Sequence, residues 1–131
     1  MIVVDASAAL EILLQTATGL RAAELAFSHV ERMHAPCLID IEVTQVLSRL
    51  TAGAALGERR AQQALTDFSG LLIERHDHGV LLPRIWQLRE SLGACEATYL
   101  ALAEALDAPL LTCDAKLARA RGHRALIMAI R

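Results

Sequence analysis

The sequence Ile2-Val3-Val4-Asp5-Ala6-Ser7-Ala8-Ala9-Leu10 contains three apolar residues, then an acid, then residues that favour a helix. A short apolar run bounded by an acid is typical of a buried strand that ends at Asp5. The same order recurs in Leu110-Leu111-Thr112-Cys113-Asp114, where a second strand runs into an acid ahead of a helical segment. Two units of strand, acid and helix therefore decide the fold.

The segments around these two units alternate between strand and helix patterns. The clearest helix is amphipathic, because its apolar residues recur at spacings of three and four: Leu38, Ile39, Val43, Val46, Leu47 and Leu50. The apolar members of the preceding helix are Leu20, Ala23, Leu25 and Phe27. We expect helices over residues 7–14, 18–30, 38–50, 58–68, 80–92, 94–106 and 114–121, with Pro83 tolerated only in a first turn. Expected strands cover residues 2–4, 32–36, 71–75, 108–112 and 125–130.

This alternation predicts an α/β fold. Strands separated by helices of about 10 to 15 residues imply right-handed crossovers and a mainly parallel sheet. We therefore expect a three-layer sandwich, in which helices flank both faces of a central sheet. A chain of 131 residues has the length of one domain, so we assign residues 1–131 to a single domain.

Composition and charge exclude several classes of protein. An apolar content of 54% with only three Pro excludes a disordered chain. No window of about 18 residues lacks charge and no basic leader precedes Asp5, so we expect a cytoplasmic protein without a membrane span. A net charge of -2 argues against strong non-specific attraction to nucleic acid. Three scattered cysteines fit neither a zinc pair nor a disulfide framework, and we expect them to be small buried residues.

Four acids are placed where they could meet. Asp5 and Asp114 end strands, and Glu42 and Glu96 lie in the first turns of helices that follow strands. Two carboxylates about 4 Å apart would repel by about 4 kcal/mol at an effective dielectric near 20, and a dication would remove that repulsion. An open site of carboxylates suits Mg²⁺ or Mn²⁺. Taken singly, Asp5 and Asp114 are equally explained as turn residues or helix caps, whereas Glu42 and Glu96 are more typical of surface acids favoured by the helix dipole. Periodicity alone does not bring the four together.

Longer strings of sequence resemble a known family. The segment 2–10, the segment Glu96-Ala97-Thr98-Tyr99-Leu100-Ala101-Leu102-Ala103-Glu104 and the segment Pro109-Leu110-Leu111-Thr112-Cys113-Asp114-Ala115-Lys116-Leu117 resemble PIN-domain proteins, specifically the VapC-type toxins. Glu42, within Leu38-Ile39-Asp40-Ile41-Glu42-Val43, matches the acid at the start of the family's third helix. The order and spacing of these motifs extend the resemblance over essentially the whole chain.

The resemblance implies a function and a set of site residues. It implies an α/β sandwich that cleaves RNA endonucleolytically with Mg²⁺ or Mn²⁺. The implied metal-binding and catalytic acids are Asp5, Glu42, Glu96 and Asp114, and Ser7 and Thr112 would hydrogen-bond to them. The family also implies a homodimer and a groove for an antitoxin, whose tail reaches the acidic site. Two positions depart from the family's pattern: Glu96 replaces the usual Asp, and Gln45 replaces a common Asn.

Three functional hypotheses follow from these residues. The first is the toxin endoribonuclease, in which the four acids bind the cation and activate a water. The second is a catalytically degenerate PIN fold that only binds protein or RNA, and Glu96 leaves this hypothesis open. The third, a receiver or phosphatase domain, needs an acid pair after the first strand or an Asp two residues after Asp5. Ser7 occupies the latter position, so we reject the third hypothesis.

Other side chains carry weaker signals. His76-Asp77-His78 could be a metal pair, but this spacing in a polar turn is more typical of solvent-exposed residues. Arg59-Arg60 and the cluster Arg119, Arg121 and Arg124 could contact RNA phosphates or simply be solvated helix faces. Trp86 and Tyr99 have apolar neighbours and are expected in the core rather than as base-stacking platforms. We assign RNA-binding residues to none of these positions.

Overall fold

A computed structural model describes residues 1–28 and 32–130 of the chain. The five strands are β1 (Ile2–Val4), β2 (Met33–Pro36), β3 (Ile73–His76), β4 (Leu110–Thr112) and β5 (Ile127–Ala129). The described helices are α1 (Ala6–Leu14), α2 (Ala17–Ser28), α3 (Ile39–Ala52), α4 (Glu58–Gly70), α5 (Leu82–Gln87), α6 (Ala94–Leu106) and α7 (Ala115–Ala118), and a 3₁₀ turn covers Gly79–Leu81.

All five strands are parallel, and their order in the sheet is β3-β2-β1-β4-β5. The chain therefore builds outward from β1 through β2 to β3, then returns to the other side of β1 to place β4 and β5. The reversal of strand order lies between β1 and β4, where Val4 is in register with Leu111. In open parallel sheets this switch point is where the carboxyl ends of neighbouring strands leave a crevice.

Helices form the outer layers of the sandwich. The first four helices pack together as one group, in which α1 contacts α2, α3 and α4. The other group consists of α5 and α6, and α6 lies against β1, β2 and β4. The two central strands are buried along their whole length, because apolar side chains cover both faces. This arrangement confirms the expected α/β sandwich with a parallel central sheet.

The segment expected to form one helix over residues 80–92 is divided. The 3₁₀ turn Gly79–Leu81 precedes α5, which is six residues long and carries Pro83 in its first turn, where proline is tolerated. The last helix is also shorter than expected, because α7 covers only Ala115–Ala118. Positions 29 and 30, the end of the helix expected over 18–30, lie outside the described residues.

Two expectations about burial are wrong, those for Trp86 and for the cysteines. Trp86 is 66% exposed rather than in the core, because α5 turns Ile85 inward and leaves the indole outside, where the Arg89 guanidinium lies 4.2 Å above it. In α2, Leu20 and Phe27 are exposed, and the helix packs through Gly19, Ala22 and Ala26. The cysteines are not buried: Cys95 is exposed, and Cys37 and Cys113 are half-buried free thiols.

The buried face of α2 consists of small residues because α2 lies very close to α1. A Cβ atom added at Gly19 would lie 1.8 Å from the Glu11 carbonyl oxygen of α1, which leaves no room for a side chain. Tyr99, in contrast, is buried as expected. Among the described helices, none is both long and apolar enough to cross a membrane.

Candidate metal centre

Asp5 follows β1 directly and caps the helix that comes after it. Its Oδ1 accepts a hydrogen bond from the Ala8 backbone N–H at 2.9 Å, the usual role of an acid at a helix N-terminus. The Ser7 hydroxyl donates to the same oxygen at 2.7 Å, and the Thr112 hydroxyl donates to Oδ2. Asp5 is only 4% exposed, so its carboxylate is a nearly buried charge held by three donors.

Thr112, at the end of β4, links the two acids that terminate the central strands. Its hydroxyl donates to Asp5 and accepts a hydrogen bond from the Asp114 backbone N–H at 3.0 Å. Ser7 strengthens the link, because its hydroxyl oxygen accepts from the Cys113 N–H at 3.0 Å. The two hydroxyl residues expected beside the acids therefore join the ends of β1 and β4 across the switch point.

Asp114 is the second acid at this edge. It caps α7, and its Oδ1 accepts from the Lys116 N–H at 2.9 Å. Unlike Asp5, it is half-exposed. Its negative charge is close enough to raise the pKa of Asp5 further. The structure thus brings the two strand-terminal acids together, as their positions in the sequence predict.

Glu42 lies in the first turn of α3, where a hydrogen bond fixes one of its oxygens. The Tyr99 hydroxyl, from α6, donates to Glu42 Oε1 at 2.6 Å. Burial raises the pKa of Glu42, the Tyr99 hydrogen bond opposes that shift, and the charges of Asp5 and Glu96 add to it. Burial and the Glu42 carboxylate also raise the pKa of the Tyr99 phenol, so Tyr99 remains a neutral donor.

Glu96 occupies the first turn of α6, one turn before Tyr99. Its longer side chain folds back over the start of its own helix, since its Oε2 lies 2.7 Å from where a Cβ of Gly93 would stand. The carboxylate is half-exposed and raises the pKa of Glu42 by its charge. The substitution of Glu for Asp therefore leaves this carboxylate within electrostatic reach of the other acids.

All four acids line one cleft of about 410 Å³. The cleft opens between the carboxyl ends of the central strands and the first turns of α1, α3 and α6. Ser7 and Tyr99 also line it, whereas Thr112 lies fully buried behind Asp5. Among the ion pairs of the described residues, none neutralises any of the four acids.

Burial has the largest effect on the pKa values of Asp5 and Glu42 in this cleft. It raises the pKa of Asp5, and the hydrogen bonds from Thr112, Ala8 and Ser7 oppose that shift only in part. A carboxylate has about four lone-pair sites, and three of those on Asp5 already accept hydrogen bonds, so one remains for a ligand. A dication in the cleft would stabilise the charged forms of the acids.

The donor set fits a hard divalent cation. The four acids offer carboxylate oxygens, which suit Mg²⁺ and Mn²⁺ better than softer metals. Among the described residues, no three of the four acids bring carboxylate oxygens within 4.8 Å of one another. That spacing suits a cation such as Mg²⁺, which keeps several of its waters.

The structure adds cleft residues that the sequence did not point to. Arg49 lies on the same face of α3 as Glu42 and as Gln45, which had been noted only as a departure from the family's pattern, and Glu11 projects from α1. The signal for the α3 residues was present, because positions 42, 45 and 49 differ by three and seven and so share one helix face. Tyr99 was expected only as a core residue, although it lies three residues after Glu96 on α6.

Comparisons with known proteins agree with this architecture. A family model described as the PIN domain matches residues 2–122. "VapC ribonuclease Mb0985" of Mycobacterium bovis is 42% identical over 117 residues, covering 89% of this chain and 88% of that protein. "Ribonuclease VapC12" of Mycobacterium tuberculosis is 35% identical over 127 residues, covering 97% of each chain.

Two solved structures share the fold. VapBC2 from Rickettsia felis, solved bound to a DNA fragment from its promoter, superposes with a TM-score of 0.72 at 15% identity and covers 100% of both chains. PAE2754 from Pyrobaculum aerophilum has a TM-score of 0.67 at 20% identity, covering 96% of this chain and 82% of that one. With a matching family model over nearly its whole length and relatives at 35 to 42% identity, this chain belongs to the PIN domain family and is of the VapC type.

Proposed function

We propose that this protein is a Mg²⁺- or Mn²⁺-dependent endoribonuclease and the toxin of a toxin-antitoxin pair. The observation that carries the proposal is the cleft at the switch point, where four carboxylates from four separate segments lie together without a cationic partner among the described ion pairs. Its VapC relatives are named ribonucleases, which supports RNA as the substrate.

All four acids are proposed as ligands of the cation. Asp5, Glu42, Glu96 and Asp114 would hold the cation, which supplies a polarised water and a positive charge for the phosphodiester. Thr112 and Ser7 fix the Asp5 carboxylate, so its remaining lone pair keeps one direction. No reorganisation of Asp5 is then needed when the cation binds.

Glu42 is the best placed of the acids to accept a proton. Its Oε1 accepts a hydrogen bond from Tyr99, so Oε2 is the oxygen that can take a proton, and the residue lines the cleft. We infer that Oε2 takes a proton from the water as the water oxygen forms a bond to phosphorus, while the bond from phosphorus to the ribose oxygen breaks and that oxygen takes a proton from solvent.

The partners are an RNA substrate, an antitoxin and a second copy of the chain. A structural neighbour was solved as a VapBC2 complex, which supports an antitoxin partner. Exposed apolar side chains such as Trp86, Leu82 and Val80 around α5 offer surface for association into a homodimer. We place the protein in the cytoplasm, where such an RNA substrate would be met.

The direct test is cleavage of a labelled RNA with and without Mg²⁺ or Mn²⁺. Asp5→Asn should lower the metal-stimulated rate at least about 100-fold, because even residues that only support metal ligands contribute 10- to 100-fold. Asp67→Asn is the matched control, since Asp67 is an exposed acid of α4 bonded to Gln63, and it should cleave at the wild-type rate. Cleavage by Asp5→Asn at the wild-type rate would refute the proposal.

A second candidate function is a degenerate PIN fold that binds protein or RNA without cleaving. The presence of Glu96 where the family usually has Asp favours this candidate. Glu96→Asp distinguishes the two. In a working nuclease the shorter acid should retain or increase cleavage, whereas in a binding module neither protein should cleave RNA or bind Mn²⁺.

A further inference from the structure

A second group of metal-binding side chains lies at the edge of the sheet, outside the acidic cleft. His34 is on β2, and Glu74 and His76 are on the edge strand β3. His34 is in register with Glu74, and His76 follows two residues later. Because side chains alternate along a strand, all three project from the same face of the sheet. None of the three lines the acidic cleft.

The three side chains already converge. His34 Nδ1 lies 2.8 Å from His76 Nε2 and 3.8 Å from Glu74 Oε2. One ligand atom from each residue lies within 4.8 Å of the other two, and this is the only such group among the described residues. His34 is 6% exposed, so its ring is held firmly, whereas the Glu74 side chain is 46% exposed and gives access from solvent.

We propose that His34, Glu74 and His76 bind one divalent transition metal ion, with Zn²⁺ as the best match. Two imidazole nitrogens and one carboxylate oxygen form a donor set that proteins use for zinc, with a water in the fourth position. For Zn–N bonds near 2.05 Å, tetrahedral ligand atoms are separated by about 3.3 Å. The two observed separations, 2.8 and 3.8 Å, lie on either side of that value.

The site differs from the acidic cleft in the metal it prefers. Imidazole favours Zn²⁺ and its neighbours in the transition series, whereas carboxylates alone favour Mg²⁺ and Mn²⁺. The pairing His76 and His78, considered from sequence, is not the one formed, since His34 of the neighbouring strand takes the place of His78. Strand pairing across 42 residues of sequence separation brings the ligands together.

The present contacts of His34, Glu74 and His76 can be replaced by bonds to a metal ion at low cost. Glu74 pairs with Arg32 at 3.8 Å, and both side chains are largely exposed, so this ion pair contributes little. The hydrogen bond between the two histidines requires one facing ring nitrogen to carry a proton, and metal binding at that nitrogen shifts the proton to the other nitrogen of the same ring, so both imidazoles stay neutral. Binding would cross-link β3 to β2, its neighbour in the described sheet, and so stabilise this side of the sheet against opening.

The test is calorimetric titration of Zn²⁺ into the metal-stripped protein, with excess Mg²⁺ present to saturate the acidic cleft. We expect one tight Zn²⁺ ion per chain and a higher melting temperature. Glu74→Gln and His76→Gln should each weaken Zn²⁺ binding at least tenfold. The half-exposed position of Glu74 keeps the first variant folded, and its metal-free melting temperature verifies this.

A neighbouring histidine provides the control. His78→Gln, on a histidine outside the group, should bind Zn²⁺ as the wild type does. Co²⁺ gives an independent reading, because tetrahedral nitrogen and oxygen ligation produces visible ligand-field absorption without the thiolate charge-transfer bands that the free cysteines would cause. Absence of tight Zn²⁺ binding to the wild type, or equal binding by Glu74→Gln and wild type, would overturn the proposal.

Discussion

A single buried carboxylate, Asp5, joins the fold to the proposed chemistry. It caps α1, accepts hydrogen bonds from Ser7 and Thr112, and lines the cleft with one lone pair not used by these donors. The cap and the strand ending were readable from sequence. The donors were known only from resemblance, since Thr112 lies 107 residues from Asp5 and nothing in local spacing connects them.

The hydrogen bond from Tyr99 to Glu42 gives a prediction at the scale of a single residue. In Tyr99→Phe the hydrogen bond to Glu42 is lost, and because that bond lowers the pKa of Glu42, the pKa should rise. Mn²⁺ binding should weaken about tenfold near neutral pH, a typical effect of losing a residue that supports a ligand. Mn²⁺ titrations at several pH values should show the acidic limit of binding shifted to higher pH.

The pH profile of Mn²⁺ binding, not the change in stability, separates this role from a packing role. Loss of one net hydrogen bond should reduce the free energy of unfolding by about 1 kcal/mol. A weakening of Mn²⁺ binding with an unchanged pH profile would mean that Tyr99 acts only by packing, and would contradict its assignment as the residue that orients Glu42.

At the scale of elements, the contact between α1 and α2 shows what sequence patterns miss. Leu20 and Phe27 are the largest apolar side chains of α2 but are exposed, and the helix buries Gly19, Ala22 and Ala26 instead. Large side chains cannot enter an interface in which a helix backbone lies against another. Periodicity identified the helix correctly, but the face was set by the close approach of the two backbones.

Gly19→Ala tests this close approach. The added methyl group would meet the Glu11 carbonyl, so α2 must shift, and overpacking of this kind costs about 1 to 3 kcal/mol. Thermal or urea unfolding should show a destabilised protein. Gly70→Ala is the matched control, because that helical glycine has open space around it and should be neutral or slightly stabilised. Equal stability of the two variants would show that α1 and α2 are not in this tight contact.

The short α5 also shows that apolar patterns alone do not determine which residues of a helix are buried. A continuous apolar pattern over residues 80–92 predicted one helix with Trp86 in the core. The chain instead forms a 3₁₀ turn and a six-residue helix, so only Ile85 of α5 is buried. Apolar residues at the ends of so short a helix have no layer to cover them within the described chain.

At the scale of the whole molecule, the alternation of strands and helices was sufficient to predict the α/β class and the parallel sheet. It also placed Asp5 and Asp114 at the carboxyl ends of two parallel strands. Sequence patterns did not determine the strand order, which decides that Asp5 and Asp114 are neighbours. Nor could they reveal the group of His34, Glu74 and His76, because that group depends on the pairing of β2 with β3.

Burial of the acids predicts how stability depends on pH. The folded-state pKa values of Asp5 and Glu42 are raised above their ordinary values of 3.8 and 4.5. The metal-free folded protein therefore binds more protons than the unfolded chain between those values and the raised ones, so these two acids destabilise it increasingly as pH rises through this window.

The variant Asp5→Asn isolates the contribution of Asp5. Its Asn can still cap α1, but it carries no charge, so its free energy of unfolding relative to metal-free wild type should increase from mildly acidic to neutral pH. Denaturant unfolding of both proteins across this range measures the difference. A difference that stays constant with pH would mean that Asp5 is not held at a raised pKa.

The central claim is that the four carboxylates of the cleft together bind a divalent cation. Calorimetric titration of Mn²⁺ into two proteins tests it most directly. One carries Glu74→Gln alone and the other carries Glu74→Gln together with Asp5→Asn, so that binding by the histidine group is weakened in both. We predict that the protein with Asp5 binds Mn²⁺ with a measurable heat and that Asp5→Asn loses this binding at least about 100-fold. Equal Mn²⁺ affinity of the two proteins, or no heat from either, would contradict the account.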